Sequence, residues 1–233
     1  MLQGVPLPWK GTRKALRRIY KNDLTTLVRF LLFILFLGLL FLSGGPGIST
    51  AADGRDPTEG REEKLRVFQQ KREQFFKEDP RSPLKESDRK KFQGLPYYPI
   101  DLNYAMVGSI DRYPIEPKPL YTHLPTSKGA DKKYVKYGRF KFRWMGKEYT
   151  LQIYRPLGGG ELFLPFKDRT SETETYPKGR YLFMEPMPEG RVLIDFNRAY
   201  NPFCEYNERY TCTYAPEENW LGIEIRAGEK RFR

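Results

Sequence analysis

The spacing of apolar residues changes period along this chain. Over Arg61–Asp79 they recur at helical intervals. Leu65, Phe68, Phe75 and Phe76 share a face with Arg72, and Lys, Arg, Glu and Gln fill the other face. Pro80 ends this helix, because its ring removes a backbone donor and clashes with a continuing turn. The stripe lasts barely two heptads, too short for a coiled coil, so the helix is expected to dock on a domain. A second, short helix is expected at Ser87–Phe92, capped by Ser87 and closed by Gly94.

From Leu95 onward the period falls to two. Asn103–Ile110 reads as a first strand. In Lys133–Trp144, Tyr134, Tyr137, Phe140, Phe142 and Trp144 fall at mostly even spacing. Met145-Gly146-Lys147 is a tight turn, and Glu148–Arg155 returns with Tyr149, Leu151, Ile153 and Tyr154, which predicts a β-hairpin. Glu161–Phe166, Arg180–Glu185, Arg191–Phe196 and Ile223–Arg226 add further short strands separated by Pro and Gly. No βαβ rhythm is present. The expected class is mainly β (α+β), an antiparallel barrel, roll or sandwich with the N-terminal helices packed on it. Asp111–Asp131 carries Pro114, Pro117, Pro119 and Pro125 and is expected to be a long exposed loop.

The first fifty residues follow a different pattern. Phe30–Leu42 is a run of apolar residues interrupted by one Gly. Lys10, Arg13, Lys14, Arg17, Arg18, Lys21 and Arg29 precede it against a single acid, Asp23. Small residues follow, through Ser49-Thr50-Ala51-Ala52. A basic region, a short apolar region and small residues make a secretory signal. Counted on to Ala52 the run is long enough for an uncleaved membrane anchor. Residues 1–52 are therefore expected to be a signal peptide or membrane anchor, 53–60 a tether, and 61–233 one domain. That domain is expected outside the cytoplasm, in the periplasm or anchored to the inner membrane facing it.

Charge narrows the partners. The chain holds 41 Lys and Arg against 29 Asp and Glu, a net +12. Half of that excess lies in residues 1–52, so the domain is only moderately basic. With no basic helix or aromatic–basic platform motif, nucleic acid is not an expected partner. The membrane is expected as a partner through the N-terminal segment, and a small ligand or envelope component through the domain.

Candidate chemistry concentrates in Asp195–Cys212, which holds Asn197, Asn201 and Asn207, three Tyr and both cysteines of the chain. Asp195, Asn197, Tyr200 and Asn201, with Glu174 and Arg180, are the candidate ligand-binding residues. Glu174 near Arg180 suits a bidentate pair, and Asp195 is placed to order the following turn. In an oxidising compartment Cys204 and Cys212 are expected to form a disulfide, which stabilises by about 2–3 kcal/mol in the chain-entropy view. No metal site is expected, since His123 is the single His and the cysteine spacing fits no zinc ribbon. His123 is expected to be ordinary surface, and there is no G-x-S-x-G elbow. Asp168, Glu172, Glu174 and Asp195 at strand ends are the carboxylates a hydrolase or lyase would use. Gly158-Gly159-Gly160 leads into a strand without a Lys-Ser/Thr, so it is a turn and not a phosphate loop. No cofactor is expected.

An ordered series of blocks adds a resemblance. It begins at the helix bearing Arg72 and Phe75-Phe76, and continues through Phe92, Gly94-Leu95 and Tyr98-Pro99. Leu162–Thr170, Glu174-Thr175-Tyr176 and Gly179–Leu182 follow. Asp195–Pro202 with Cys204, then Tyr210, Cys212, Pro216, Asn219 and Ala227-Gly228-Glu229 complete it. The series resembles the bacterial and archaeal domain of unknown function family 1684 over some 165 residues, to Lys230. The resemblance implies one folding unit and assigns no activity. The leading expectation is a domain that binds a small ligand or envelope component. The alternatives are a hydrolase or lyase using Asp195 with Glu174 or Asp168, and an accessory subunit of a membrane complex docking through its helices.

Overall fold

Among the described residues eight strands, all paired antiparallel, make an open six-stranded sheet and a two-stranded one. The computed structural model describes residues 60–186 and 191–232, which belong to a unit spanning Arg55–Arg233. The strands are β1 (Ala105–Arg112), β2 (Tyr121–Leu124), β3 (Lys132–Trp144), β4 (Lys147–Pro156), β5 (Leu164–Phe166), β6 (Arg180–Leu182), β7 (Met184–Pro186) and β8 (Arg191–Asp195). The larger sheet runs β2-β3-β1-β8-β7, with β4 also on β3, and β5 pairs β6. The class is mainly β with some helix, as expected, and neither sheet closes into a barrel.

The hairpin β3–β4 is the backbone of the fold. Its two-residue connection takes positive φ at both Met145 (46°) and Gly146 (78°), the twist that lets two strands leave a tight turn without splaying. β3 is long enough to pair along its length with β4 and, on its other side, with β2 near its start and β1 further on. A register shift between Lys136 and Gly138 separates those two partners. Alternation along β3 turns Tyr134, Phe140 and Phe142 inward. They join Leu151, Ile153, Leu164, Phe166, Leu182, Ile194 and Phe196 in buried clusters. Burying each such side chain contributes about 1.5–3 kcal/mol.

Helix α1 (Arg61–Glu78) docks on the domain by the predicted face. Leu65, Arg72 and Phe76 are buried, and Phe76 meets the Tyr206 ring edge-on at 4.6 Å between centroids. Helix α2 (Glu86–Arg89) is one turn, shorter than expected. It starts after Lys85, so Ser87 lies inside it and is not its cap.

Three other expectations are corrected. The Pro-rich stretch contains strand β2, because Tyr121–Leu124 finds an open edge of β3. Ile223–Arg226 is not a strand: side chains, described below, hold its backbone groups. A membrane-spanning segment finds no support, since among the described residues no helix is long and apolar enough to cross a membrane. The signal-or-anchor expectation itself falls on residues 1–52, outside the described residues.

Candidate functional site

Of the six candidate ligand-binding residues, Asp195, Asn197, Asn201 and Arg180 are buried, Tyr200 and Glu174 are half-buried, and all six hold the chain to itself. Asp195 ends β8 and caps the following 3-10 turn (Phe196–Arg198). Its Oδ1 accepts Asn197 N–H at 3.0 Å and the Asn197 side-chain amide at 2.8 Å. Arg61 of α1 reaches its other oxygen at 3.1 Å. Asn197 also binds both backbone groups of Asp101, at 3.0 and 2.8 Å, and so ties the start of β1 to the end of β8.

The next pair forms a clasp around the segment 223–230. Glu229 is fully buried. It accepts the guanidinium of Arg72, the Tyr206 hydroxyl at 2.7 Å and Asn201 N–H at 2.8 Å. Burial opposes the Arg72 charge, yet the Glu229 carboxylate outweighs it and holds the guanidinium above its usual range. Tyr200 is the ring beneath that charge, 4.8 Å from centroid to guanidinium carbon. Asn201 donates its side-chain amide to Lys230 O at 2.7 Å. Burial pushes the Tyr200 and Tyr206 phenols up.

Arg180 belongs to the same clasp. The expected pairing with Glu174 is not made. Arg180 donates to the carbonyls of Ile225 (2.8 Å), Ala227 (2.5 Å) and Glu229 (3.2 Å) and meets Asp168 at 3.4 Å. Asp168 accepts Thr170 and Ser171 hydroxyls at 2.8 and 3.1 Å and Ile225 N–H at 2.7 Å. These bonds replace strand pairing for Ile223–Arg226, which is why the alternating Ile-Glu-Ile-Arg there makes no strand. Glu174 instead accepts the Tyr98 hydroxyl at 3.0 Å and pairs with Arg226 at 2.9 Å. Buried groups of this kind are hydrogen-bonded because leaving one bare costs about 1–3 kcal/mol. Among the described atoms here, Arg180 Nε and Asn201 Oδ1 lack a partner. Asp168 and Asp195 are both buried, and each is bonded within its own turn.

The cysteines are adjacent but unbridged. Both are free thiols, so the expected disulfide is not formed in this structure. Cys204 N–H donates to Cys212 Sγ at 3.0 Å, and the Tyr176 hydroxyl lies 3.5 Å from Cys204 Sγ. The contact with Cys212 holds the Cys204 thiol below its usual range and pushes that of Cys212 up. Among the described residues no group of His, Cys, Asp and Glu is arranged to hold a metal ion.

An open groove of 860 Å³ lies elsewhere, within the size range of about 300–1,000 Å³ typical of small-ligand sites. Thr122–Pro125 of β2 and its exit line it, with Lys167, Glu172, Lys178, Tyr214–Glu218 and Trp220. Backbone bonds fix these segments together. Pro125 O accepts Tyr214 N–H at 2.8 Å, Lys178 O accepts Ala215 N–H at 3.0 Å, and Lys167 and Asn219–Leu221 exchange bonds of 3.0 and 2.9 Å. Gly179 permits the close approach: it has φ 97°, and a Cβ there would sit 2.6 Å from Ala215 Cβ and 3.0 Å from Lys167 Cγ. Asn219, fully buried, anchors the turn Glu217–Asn219 through Gln152 N–H (2.7 Å), Gln152 O (2.9 Å) and Pro165 O (2.6 Å).

The groove's side chains are of another kind. Trp220 is 42% exposed. The Lys167 ammonium lies 5.6 Å from its ring centroid, and the Lys178 ammonium 5.3 Å from that of Tyr214. Glu218 pairs with Lys136 at 2.8 Å and accepts the Tyr154 hydroxyl at 2.5 Å, which pushes that phenol up together with its burial. Lys167, Lys178, Glu172 and Glu217 have no side-chain ion pair among the described residues. Of the residues weighed from the sequence, Glu172 and His123 line this groove. Lys167, Lys178, Tyr214, Glu217 and Trp220 were missed. Their one visible signal is Pro216 opening a turn that ends in an aromatic residue.

The sequence profile described as "Protein of unknown function (DUF1684)" matches residues 90–230. Among solved structures, the chain is similar to the solution NMR structure of an uncharacterized protein from gene locus rrnAC0354 of Haloarcula marismortui. The two are 32% identical, over 74% of this chain and 95% of that one, with a TM-score of 0.58. No curated protein matches the chain.

Proposed function

Since the chain belongs to the DUF1684 family, whose name carries no activity, we propose from the groove itself that the protein binds a small polar ligand there. The observation that carries this is the contrast in polar partners. Lys167, Lys178, Glu172 and Glu217 line an open groove without an ion pair among the described residues, while the polar groups around Glu229 are enclosed and nearly all hydrogen-bonded. Two aromatic faces, Trp220 and Tyr214, supply the apolar contact area a ligand needs beside those charges. The backbone bonds of Lys167, Ala215, Asn219 and Leu221 pre-organise the walls, which lowers the entropy lost on binding. The basic and apolar pattern of residues 1–52 supports a place of action outside the cytoplasm, where an envelope component is a natural ligand.

The test is an NMR screen of monosaccharides, amino acids, small carboxylates and nucleosides against the full chain. Binding is expected to shift the Trp220 indole N–H and the Gly179 and Ala215 amides. Shifts confined to Asp195–Asn201, or no shift with any probe, would sink the groove as the site.

A further inference from the structure

We propose that the ligand of this groove is a saccharide, bound with pyranose rings against Trp220 and Tyr214. The inference rests on the groove being the binding site and adds the class of ligand. Three features of the groove point the same way.

The first is what its rings already attract. Lys167 and Lys178 hold their ammonium groups over Trp220 and Tyr214, so each ring already draws a positively polarised group to its negative face. The C–H bonds on one face of a pyranose are weakly positive and seek the same surface. An indole left 42% exposed beside polar groups is a platform of that kind.

The second is charge balance. Lys167 and Lys178 face Glu172, Glu217 and Glu218 in the lining, and Glu218 is already neutralised by Lys136, which lies outside the lining. The balance is zero. A nucleotide or other polyphosphate needs an excess of cationic groups, and a cationic ligand needs an excess of carboxylates. A neutral or singly charged molecule suits a balanced site.

The third is the mixture of donors and acceptors. Lys167 and Lys178 only donate, while the ionised carboxylates of Glu172 and Glu217 only accept, and Thr122 does both. Sugar hydroxyls also do both, so they satisfy this mixed set where a carboxylate or an amine satisfies only half of it. The groove is open, not enclosed, which lets a chain of sugar units enter sideways.

The experiment is calorimetric titration of the full chain with tetrasaccharides of glucose, N-acetylglucosamine and galacturonate, with ATP and glutamate as comparison probes. At least one tetrasaccharide is expected to bind. Trp220→Ala should weaken it at least about tenfold, as loss of a central aromatic anchor does, while Trp220→Phe should restore most of the affinity. Circular dichroism on each variant separates lost binding from lost fold. Retention on insoluble glucan, chitin or pectate as well points to an envelope or other polymer. Binding of the tetrasaccharide without retention points to a free oligosaccharide, and both outcomes support the class. If ATP or glutamate binds and shifts the Trp220 indole N–H while no tetrasaccharide does, the saccharide fails and the groove stands. If a tetrasaccharide binds with equal strength after Trp220→Ala, the stacking fails. If no probe binds, the saccharide is overturned, and the broader screen above decides the fate of the groove.

Discussion

Arg72 and Glu229 meet with 5% and 1% of their side chains exposed, whereas Lys178 and Glu172 stand at the surface of the groove, neither in an ion pair among the described residues. Both regions are rich in polar groups, and in both a cation lies over an aromatic ring. Their difference is in what remains open. The clasp turns charge, phenol and amide toward the Glu229 carboxylate and the chain's own carbonyls, where nearly every group finds a partner. The groove turns them toward solvent, where the partner changes. Clustering of polar residues is therefore a poor mark of a site, and polar groups left unpaired in a concave surface are a better one.

The sharpest way to break this comparison is at its buried side. Glu229→Ala leaves the Arg72 charge, the Tyr206 hydroxyl and Asn201 N–H without their acceptor. Breaking a buried ion pair costs about 3–5 kcal/mol, so urea unfolding at neutral pH should show a loss of that size. A loss below about 1 kcal/mol would mean that solvent reaches the clasp, since exposed pairs contribute no more than that.

A smaller effect is expected from alkali. Burial, then the hydrogen bond to Glu174, raise the Tyr98 phenol from 10.0 to about 12. The unfolded chain releases that proton near 10 while the folded chain keeps it. Stability from this group is thus present below pH 10 and is lost as the pH rises toward 12. In Tyr98→Phe, the fall in unfolding free energy across that interval should be shallower than in the wild type. An unchanged slope would show that Tyr98 is not held neutral by the fold.

The smallest effect is expected at the groove. Lys178→Ala and Glu172→Ala remove exposed groups, and each should move the unfolding free energy by no more than about 0.5 kcal/mol. A large loss at either position would erase the distinction and make the groove part of the scaffold.

Where the pattern of residues is local, the sequence is legible. The β3–β4 hairpin lies within a residue of its expected bounds, because alternation and a Gly turn determine it without help from the rest of the chain. The aromatic face of α1 is legible for the same reason. Strand β2 is not, since Tyr121–Leu124 becomes a strand only where β3 offers an edge, and four Pro residues around it speak for a loop. Ile223–Arg226 fails the other way: Asp168 and Arg180, more than forty residues earlier, take its backbone groups. The crowded Asp195–Cys212 segment is visible from composition, but composition does not say whether its polar groups face inward. Asp195, Asn197, Asn201 and Glu229, which carried the resemblance to the family, are part of the scaffold. Lys178, Tyr214 and Trp220 stand outside those blocks, and the groove arises from segments that meet only in the folded chain.

The position of Glu229 has a consequence for the order in which this protein is made. Arg72 lies on the first described helix, and its carboxylate partner comes 157 residues later. Arg180 and Asp168 likewise wait for the backbone of Ile225–Glu229. A nascent chain stopped short of residue 225 holds two arginines that have no place to go, so collapse around them is unfavourable. Synthesis runs ahead of folding in such a chain, and the late segment acts as the bolt that closes it. Released chains truncated before residue 225 and after residue 230 should differ abruptly in protease resistance, the longer resisting and the shorter being digested.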